Sequence, residues 1–356
     1  MEGTSLVKTL ARLDQVPGVS GYEEGVAAAL KAEMDGLYDQ CFDDPVGNIY
    51  FLRQGKADFT LMLTAHMDEL GLMVSYIEAN GFLRFVGVGF HSDRNLISQR
   101  LIVHSQGGDY LGITGSKPAH LLNAEEKART IPCADLFIDV GATSREEAEA
   151  WGIRIGDTVT FDTQGGLLNN TRTFYGRAVD DRAGCAVLVE VLRRLAAKGF
   201  DRFSVCAVGT VQEEVGIRGA GVAGHKVAPD QAIAVDVGLA GGTPATLDKD
   251  LPLMLGQGPA VKIFDWSPAV ASRGSAVPAA LTRKLIAAAE ANQIPYQREV
   301  LIGGATDAWG LAFSGNGVAA MGLSIPSHYI HSSASTIHLD DLENTVKLIL
   351  AYIETL

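Results

Sequence analysis

The sequence predicts an α/β protein built on a doubly wound mixed sheet, with a small β domain inserted into it. Apolar runs of strand length alternate with amphipathic helical stretches, as in sheets covered by helices on both faces. Several of these runs end in His, Asp or Glu, and ligands of open α/β sheets bind beyond the carboxyl ends of the strands. Residues 69–161 differ, because short β-rich segments separated by glycines dominate there and a single helix is predicted, at 144–151. We therefore predict a parent domain of residues 1–68 and 162–356 and an inserted β domain of residues 69–161.

Composition limits the class of protein. A chain of 356 residues that is 47% hydrophobic and 20% charged can bury a substantial core. Its net charge of −13 argues against nucleic acid or an anionic membrane as a partner, because both require a basic surface. The 4 cysteines lie far apart, which favours free thiols in a reducing compartment, and the N-terminus shows no targeting pattern. We expect a cytoplasmic enzyme.

The first elements lead to a candidate site residue. One helix is predicted from the shared face of Leu6, Leu10 and Leu13, and a second from a Ser20–Glu23 capping box, ending near Gly36. Strands follow near 48–52 and 59–65, and the second strand runs into His66-Met67-Asp68. In an extended chain the side chains of His66 and Asp68 point to the same side, so Asp68 can orient the imidazole for metal binding. A surface His beside an Asp remains the alternative.

After the predicted insertion, Asp180 ends a strand-like segment and precedes a long apolar helix from about 185 to 198. Either Asp180 or Asp181 could simply cap that helix. The apolar run 203–211 then ends in Glu213-Glu214, where one carboxylate could bind a metal while the other moves a proton. A solvated acidic turn is the alternative for this pair.

The C-terminal part adds two more candidates. Asp236 lies within the apolar run 232–238, where a buried aspartate is unfavourable unless it is paired or bound to a cation. His331 follows a strand predicted at 317–323. Helices are predicted at 278–292, about 307–313 and 340–353, which completes the strand–helix alternation.

The groups at the strand ends share one chemistry. The candidate ligands are His66, Asp180, Glu214, Asp236 and His331, with Glu213 and Asp68 beside them. Five such ligands are too many for one tetrahedral zinc with an open position, but they suit two divalent ions that share an aspartate. Because no thiolate is among them, the set accepts Zn²⁺, Co²⁺ or Mn²⁺, and Zn²⁺ is our expectation.

Five short motifs occur in this order and extend over the chain. They are H-x-D at 66–68, V-D-D-R-A-G at 179–184, E-E-V-G at 213–216, V-D-V-G at 235–238 and Y-I-H-S at 329–332. The order resembles the tetrahedral (TET) aminopeptidases, metallopeptidase family forty-two, whose members include glutamyl and deblocking aminopeptidases and have often been labelled endoglucanases. The stretches 112–120, 140–149 and 303–308 also resemble that family.

The resemblance implies a role for each candidate. It implies that Asp180 bridges two metals, that His66 and Asp236 complete one site, and that Glu214 and His331 complete the other. In the same comparison Glu213 corresponds to the general base and Asp68 to the residue that orients His66. It further implies a dinuclear zinc exopeptidase fold, a PDZ-like insertion that forms dimers, and a hollow dodecamer that takes peptides with a free N-terminus.

Some features depart from that family or leave alternatives open. His328 and Ser335 stand where arginine and glutamate are more usual, which affects the expected substrate preference and loop packing. Lys262 is a candidate for selecting acidic side chains, although we favour a surface residue on a strand edge. The alternatives in function are a dinuclear deacylase of N-acyl amino acids and a catalytically inactive assembly protein. The endoglucanase label fits poorly, because glycosidases need a carboxylate pair flanking a sugar cleft.

Overall fold

The computed structural model describes residues 4–268 and 274–356. Its helices are α1 (Ser5–Gln15), α2 (Glu24–Glu33), α3 (Ala124–Ala128), α4 (Arg145–Ala150), α5 (Val179–Ala197), α6 (Arg218–Val227), α7 (Ala279–Ala291), α8 (Asp307–Ala312) and α9 (Leu339–Thr355). Its strands are β1 (Gln40–Asp43), β2 (Ile49–Arg53), β3 (Ala57–His66), β4 (Gly71–Ile77), β5 (Leu83–Val88), β6 (Arg100–Ser105), β7 (Gly108–Gly115), β8 (Phe137–Asp139), β9 (Thr158–Phe161), β10 (Gly166–Leu167), β11 (Thr173–Gly176), β12 (Phe203–Thr210), β13 (Gln231–Leu239), β14 (Ala260–Trp266), β15 (Gln297–Ile302), β16 (Ala319–His328) and β17 (Ser335–His338).

An 11-stranded mixed sheet forms the larger part of the molecule. Its strands follow the order β1-β2-β12-β3-β13-β16-β17-β11-β10, and β14 and β15 join at β16. The central strands β12, β3, β13 and β16 pair in parallel, whereas β2 and β17 pair antiparallel with their neighbours. The structure thus confirms the predicted α/β fold with a mixed sheet.

The two faces of this sheet bury two separate cores because side chains alternate along each strand. On β3, Leu61 and Leu63 belong to the core that also contains residues of α1, α2, α5, α7 and α9. Met62 lies between them and faces the second core, with residues of α6 and α8. Apolar side chains on both faces explain why the central strands are continuous hydrophobic runs in the sequence.

A closed barrel lies between β3 and β10 in the chain. Strands β4-β5-β8-β7-β6-β9 close on themselves around a core of their own, which includes Leu72, Val103 and Val159. All of these strands lie inside the stretch 69–161, where short β-rich segments separated by glycines predicted an inserted β domain. This stretch also contains α3, a helix in addition to the predicted one, which the sequence interpretation missed. A capping box between Asn123 and Glu126 caps its N-terminal end.

The start of the predicted insertion is tied to segments outside the barrel. Glu69 is buried, and its carboxylate accepts a hydrogen bond from the main-chain N–H of Gly18 at 3.0 Å. It also forms ion pairs with Arg177 at 2.9 Å and with the fully buried Arg182 at 3.4 Å. The chain therefore enters the barrel from a fixed point. Among the described residues, none of the helices is both long and apolar enough to cross a membrane.

Candidate metal centre and active site

Parallel pairing brings the predicted site residues to one edge of the sheet. His66 is the last residue of β3, and it lies opposite Thr210, the last residue of β12. Glu213 and Glu214 follow β12 directly. Asp236 lies near the carboxyl end of β13, and His331 follows the end of β16. The edge thus gathers side chains that are far apart in the sequence.

His66, Asp180 and Asp236 form the first cluster, which we call the inner group. Their ligand atoms lie within 4.8 Å of one another. Nε2 of His66 is 3.0 Å from Oδ1 of Asp180 and 3.8 Å from Oδ1 of Asp236. The His66 side chain is 2% exposed. Its Nδ1 is 3.0 Å from the main-chain carbonyl of Asp68, which can only accept a hydrogen bond, so Nδ1 is a donor and Nε2 is the nitrogen that faces the two carboxylates.

Asp180, Glu214 and His331 form the second cluster, which we call the outer group. Nε2 of His331 lies 3.5 Å from Oδ2 of Asp180 and 3.5 Å from Oε2 of Glu214. The His331 side chain is 32% exposed and sits on a loop with φ of +61°. Asp180 therefore points one carboxylate oxygen at each imidazole.

The structure gives different roles to Asp180 and Asp181, either of which could cap the helix according to the sequence. Oδ1 of Asp181 accepts a hydrogen bond from the main-chain N–H of Gly184 at 2.8 Å, so Asp181 caps the regular part of α5. Asp180 precedes it and faces the two imidazoles. The peptide bond between the two residues is cis.

The chemistry of the two groups fits divalent cations. Oε1 of Glu214 is buried and has no hydrogen-bond partner among the described residues. Burial raises the pKa of Glu214 to about 7 and that of Asp236 well above its usual range, because carboxylates crowd together away from water. A bound cation removes this penalty. The carboxylate and imidazole donors are those that Zn²⁺, Co²⁺ and Mn²⁺ accept.

Glu213 and Asp68 lie beside the two groups. Glu213 lines the same cavity as the inner and outer groups, and burial raises its pKa well above the usual range. The Asp68 carboxylate accepts main-chain hydrogen bonds from Glu213 at 3.0 Å and Glu214 at 3.1 Å, and its Oδ1 lies 3.5 Å from Nδ1 of His66. Asp68 thus contacts both the imidazole and the glutamate pair.

Ser20 takes part in this network, and the predicted Ser20–Glu23 capping box is wrong. The Ser20 hydroxyl donates to Oδ2 of Asp68 at 2.6 Å, and α2 begins at Glu24 without a side-chain cap. A buried carboxylate that needs donors competes with the helix end for the hydroxyl. The partner lies 48 positions further along the chain, beyond the range of a local pattern.

The favoured prediction for Lys262, a surface residue on a strand edge, is also wrong. Its side chain is 1% exposed, and β14 is not an edge strand, since it pairs with β15 on one side and β16 on the other. The ammonium lies 2.8 Å from Oε2 of Glu299 and 3.9 Å from Oδ2 of Asp265. Lys262 lines the cavity, but two carboxylates neutralise its charge.

The sequence interpretation missed two further buried charged residues at this edge. The Arg182 guanidinium donates to the main-chain carbonyls of Leu13, Val16 and Met67, which joins the end of α1 to the segment that carries His66. Asp307 accepts a hydrogen bond from the Thr210 hydroxyl at 2.5 Å, and burial raises its pKa to about 6. Both residues lie in stretches that resemble the TET family, and this resemblance was the sequence feature that could have identified them.

A cavity of about 810 Å³ opens onto both groups. A doubly wound sheet that carries clustered imidazoles and carboxylates at its carboxyl edge is the arrangement expected of a metal-dependent hydrolase. A family model described as M42 glutamyl aminopeptidase matches residues 47–348. The chain therefore belongs to the M42 aminopeptidase family, as the five motifs predicted, and it is a peptide hydrolase that acts on N-termini.

Similar proteins support the same conclusion. The chain is 34% identical to the lysyl aminopeptidase of Pyrococcus furiosus over 98% of this chain and 96% of that protein. A TET aminopeptidase from a marine-sediment thaumarchaeon superposes with a TM-score of 0.94 at 33% identity, over 99% of this chain and 96% of that chain. The Pyrococcus horikoshii TET1 peptidase, which can assemble into a tetrahedron or a large octahedral shell, has a TM-score of 0.84 at 34% identity, with 98% of each chain covered. These matches favour an aminopeptidase over the deacylase and the inactive assembly protein.

Proposed function

We propose that this chain removes single residues from the free N-terminus of peptides with two divalent metal ions, Zn²⁺ in our expectation. The observation that carries the proposal is the position of Asp180, whose two oxygens face His66 and His331. Asp180 would bridge the ions, His66 and Asp236 would complete the inner group, and Glu214 and His331 would complete the outer group. When bound, such ions polarise the scissile carbonyl and lower the pKa of water.

Glu213 is the proposed general base. It belongs to neither ligand group, yet it lines their cavity and follows β12 next to Glu214. A carboxylate so placed can accept a proton from water and pass it to the leaving amine. Asp68 is the proposed positioning residue for this step, since it holds the main chain of Glu213 and faces His66.

The barrel is the proposed association domain of the chain. We keep residues 69–161 as an inserted PDZ-like dimerisation domain and 1–68 with 162–356 as the catalytic domain. Relatives that form dodecamers and shells support a dodecamer built from dimers. All 4 cysteines are free, which supports a reducing, cytoplasmic location.

The proposal is tested with free-amine and N-acylated aminoacyl substrates, assayed with Zn²⁺, Co²⁺ or Mn²⁺ after metal removal. We expect hydrolysis of the free-amine substrates, two ions per subunit and loss of activity on chelation. Cleavage confined to acylated substrates would instead indicate the deacylase. Activity that persists with no detectable metal would overturn the two-ion mechanism.

The assembly is tested separately by light scattering. We expect particles larger than a dimer for the intact chain, and smaller particles when residues 69–161 are replaced by a short Gly/Ser linker. A monomeric intact chain at working concentration would refute the assembly and leave the chemistry in place.

A further inference from the structure

The loop between β5 and β6 lines the cavity although it belongs to the barrel. Gly89, Phe90, Ser92 and Asn95 all contribute to the cavity wall. The Phe90 side chain is 71% exposed, and its ring centroid lies 6.4 Å from that of His331 in the outer group. An aromatic ring this exposed is unfavourable in water, but it becomes favourable when an apolar ligand covers it.

Neighbouring contacts hold this loop in place. Nε2 of His91 lies 2.7 Å from the carbonyl of Gly71 and 3.1 Å from that of Val88, which pins the loop to its own barrel. The Asn95 side-chain amide donates to the main-chain carbonyl of His331 at 3.3 Å, which pins it to the outer group. Phe90 therefore has a fixed place relative to the proposed ligands.

Close packing at Gly89 supports the same conclusion. Gly89 has φ of +88°, and a Cβ there would lie 2.1 Å from Cδ2 of Leu70 and 3.5 Å from Cβ of Glu214. The space beside the backbone of Gly89 is therefore bounded by Leu70, in the segment that enters the barrel, and by Glu214 of the outer group. Any other residue would be strained at this φ and would displace the Leu70 side chain.

The rest of the wall is mainly apolar. Among the described residues that line the cavity outside the two metal groups, apolar side chains include Ile217, Val237, Leu239, Leu301 and Ile330. Among these described lining residues, the positively charged side chain is that of Lys262, which forms ion pairs with Glu299 and Asp265. A charged substrate side chain would lose water here without gaining an opposite free charge from these residues.

We propose that Phe90 is a specificity-determining residue that packs against a large apolar side chain flanking the scissile bond. This inference rests on the proposed aminopeptidase function and adds the substrate class, peptides with a large apolar residue such as leucine in the first or second position. The barrel would then supply part of the substrate site as well as the association surface.

The test compares Phe90→Ala, Phe90→Leu and wild type on four dipeptides that carry leucine or alanine at the first and second positions. Loss of the ring should lower kcat/KM for the preferred leucine peptide about tenfold, mainly through KM, and that for Ala-Ala less than about twofold. Phe90→Leu should recover part of the loss, because it retains apolar area. The position at which leucine matters identifies the residue that Phe90 contacts.

Ile155→Ala is the matched control. Ile155 is also an exposed apolar residue of the barrel region, at 64%, but it does not line the cavity, and the ratio between dipeptides should not change. Equal loss on all four dipeptides, or an unchanged ratio in Phe90→Ala, would overturn the inference. A drop in particle size by light scattering would show instead that Phe90 contacts a second copy of the chain. Wild type that cleaves other free-amine substrates but none of the four would overturn the inference and leave the proposed function in place.

Discussion

The inner and outer groups share Asp180 but are built differently. His66 and Asp236 project from neighbouring strands of the main sheet, whereas Glu214 and His331 lie on loops beyond the strand ends. The His66 side chain is 2% exposed and that of His331 is 32% exposed. Side chains on packed strands are held by the core itself, and side chains on loops depend on added contacts.

The added contacts of the outer group come from several parts of the chain. Asn95 of the barrel loop donates to the carbonyl of His331, and Asp68 accepts from the main-chain N–H of Glu214. The Ser335 hydroxyl donates to the carbonyl of Tyr329 at 3.1 Å, and His328 contacts the carbonyl of Gly241 at 2.7 Å. Ser335 and His328, which we predicted to depart from the family pattern, thus help to hold the loop that carries His331.

The largest effect is expected from substitutions of Glu213 and Glu214, which should differ in what they change. Glu213→Gln should lower kcat by at least about 10²-fold, because a general base is lost, while both ions are retained. Glu214→Gln should reduce the metal content of the outer group, because an amide is a weaker ligand. Metal analysis and steady-state kinetics measure both. Full activity and full metal content in both variants would refute the roles assigned to them.

The second prediction compares the two imidazoles in metal-free protein. His66→Ala should lower the free energy of unfolding by about 1–3 kcal/mol, because it removes the hydrogen bond to the buried Asp180 carboxylate and leaves the Asp68 carbonyl with only the longer contact to Arg182. His331→Ala should change it by less than about 1 kcal/mol, since its imidazole is partly solvated. Urea unfolding measures both. Equal losses would remove the energetic difference between the inner and outer groups.

Metal removal gives the third prediction. Under a chelator, the ion of the outer group should leave about tenfold faster than that of the inner group, because solvent reaches His331 and its ligand loop is held by a few added contacts. Metal content followed over time should show two phases of equal amplitude. Asn95→Ala should speed the faster phase and leave the slower one unchanged. A single phase would mean that the groups bind and release as one unit.

The smallest effect is expected at Ser335. Ser335→Ala removes the hydrogen bond to the Tyr329 carbonyl and should lower stability by about 1 kcal/mol. It should also speed metal loss from the outer group about twofold through a looser loop. Ser105→Ala is the matched control, since the Ser105 hydroxyl donates to the Gly108 carbonyl at 2.9 Å within the barrel. The same change in metal loss in both variants would show that the Ser335 effect is not local.

Much of the fold was predictable because it depends on local patterns. The central strands are continuous apolar runs, and the observed β3 and β12 lie where runs 59–65 and 203–211 predicted them. The sequence also indicated where these strands end, because the polar residues His66 and Glu213-Glu214 follow the apolar runs. Which strands pair in parallel, and therefore which ends meet, is decided by contacts between distant segments.

By itself, the sequence determined the types of the site residues and their order along the chain, since strand periodicity and strand ends are local properties. Only the tertiary structure decided that Asp180 faces the imidazoles while Asp181 caps α5, because both are acidic and adjacent. It also decided that Ser20 bonds Asp68 and that Lys262 is buried beside Glu299. The cap at Asp181 is local, but the contacts of Asp180, Ser20 and Lys262 depend on partners tens of residues away, and packing brings such partners together only when the sheet has formed.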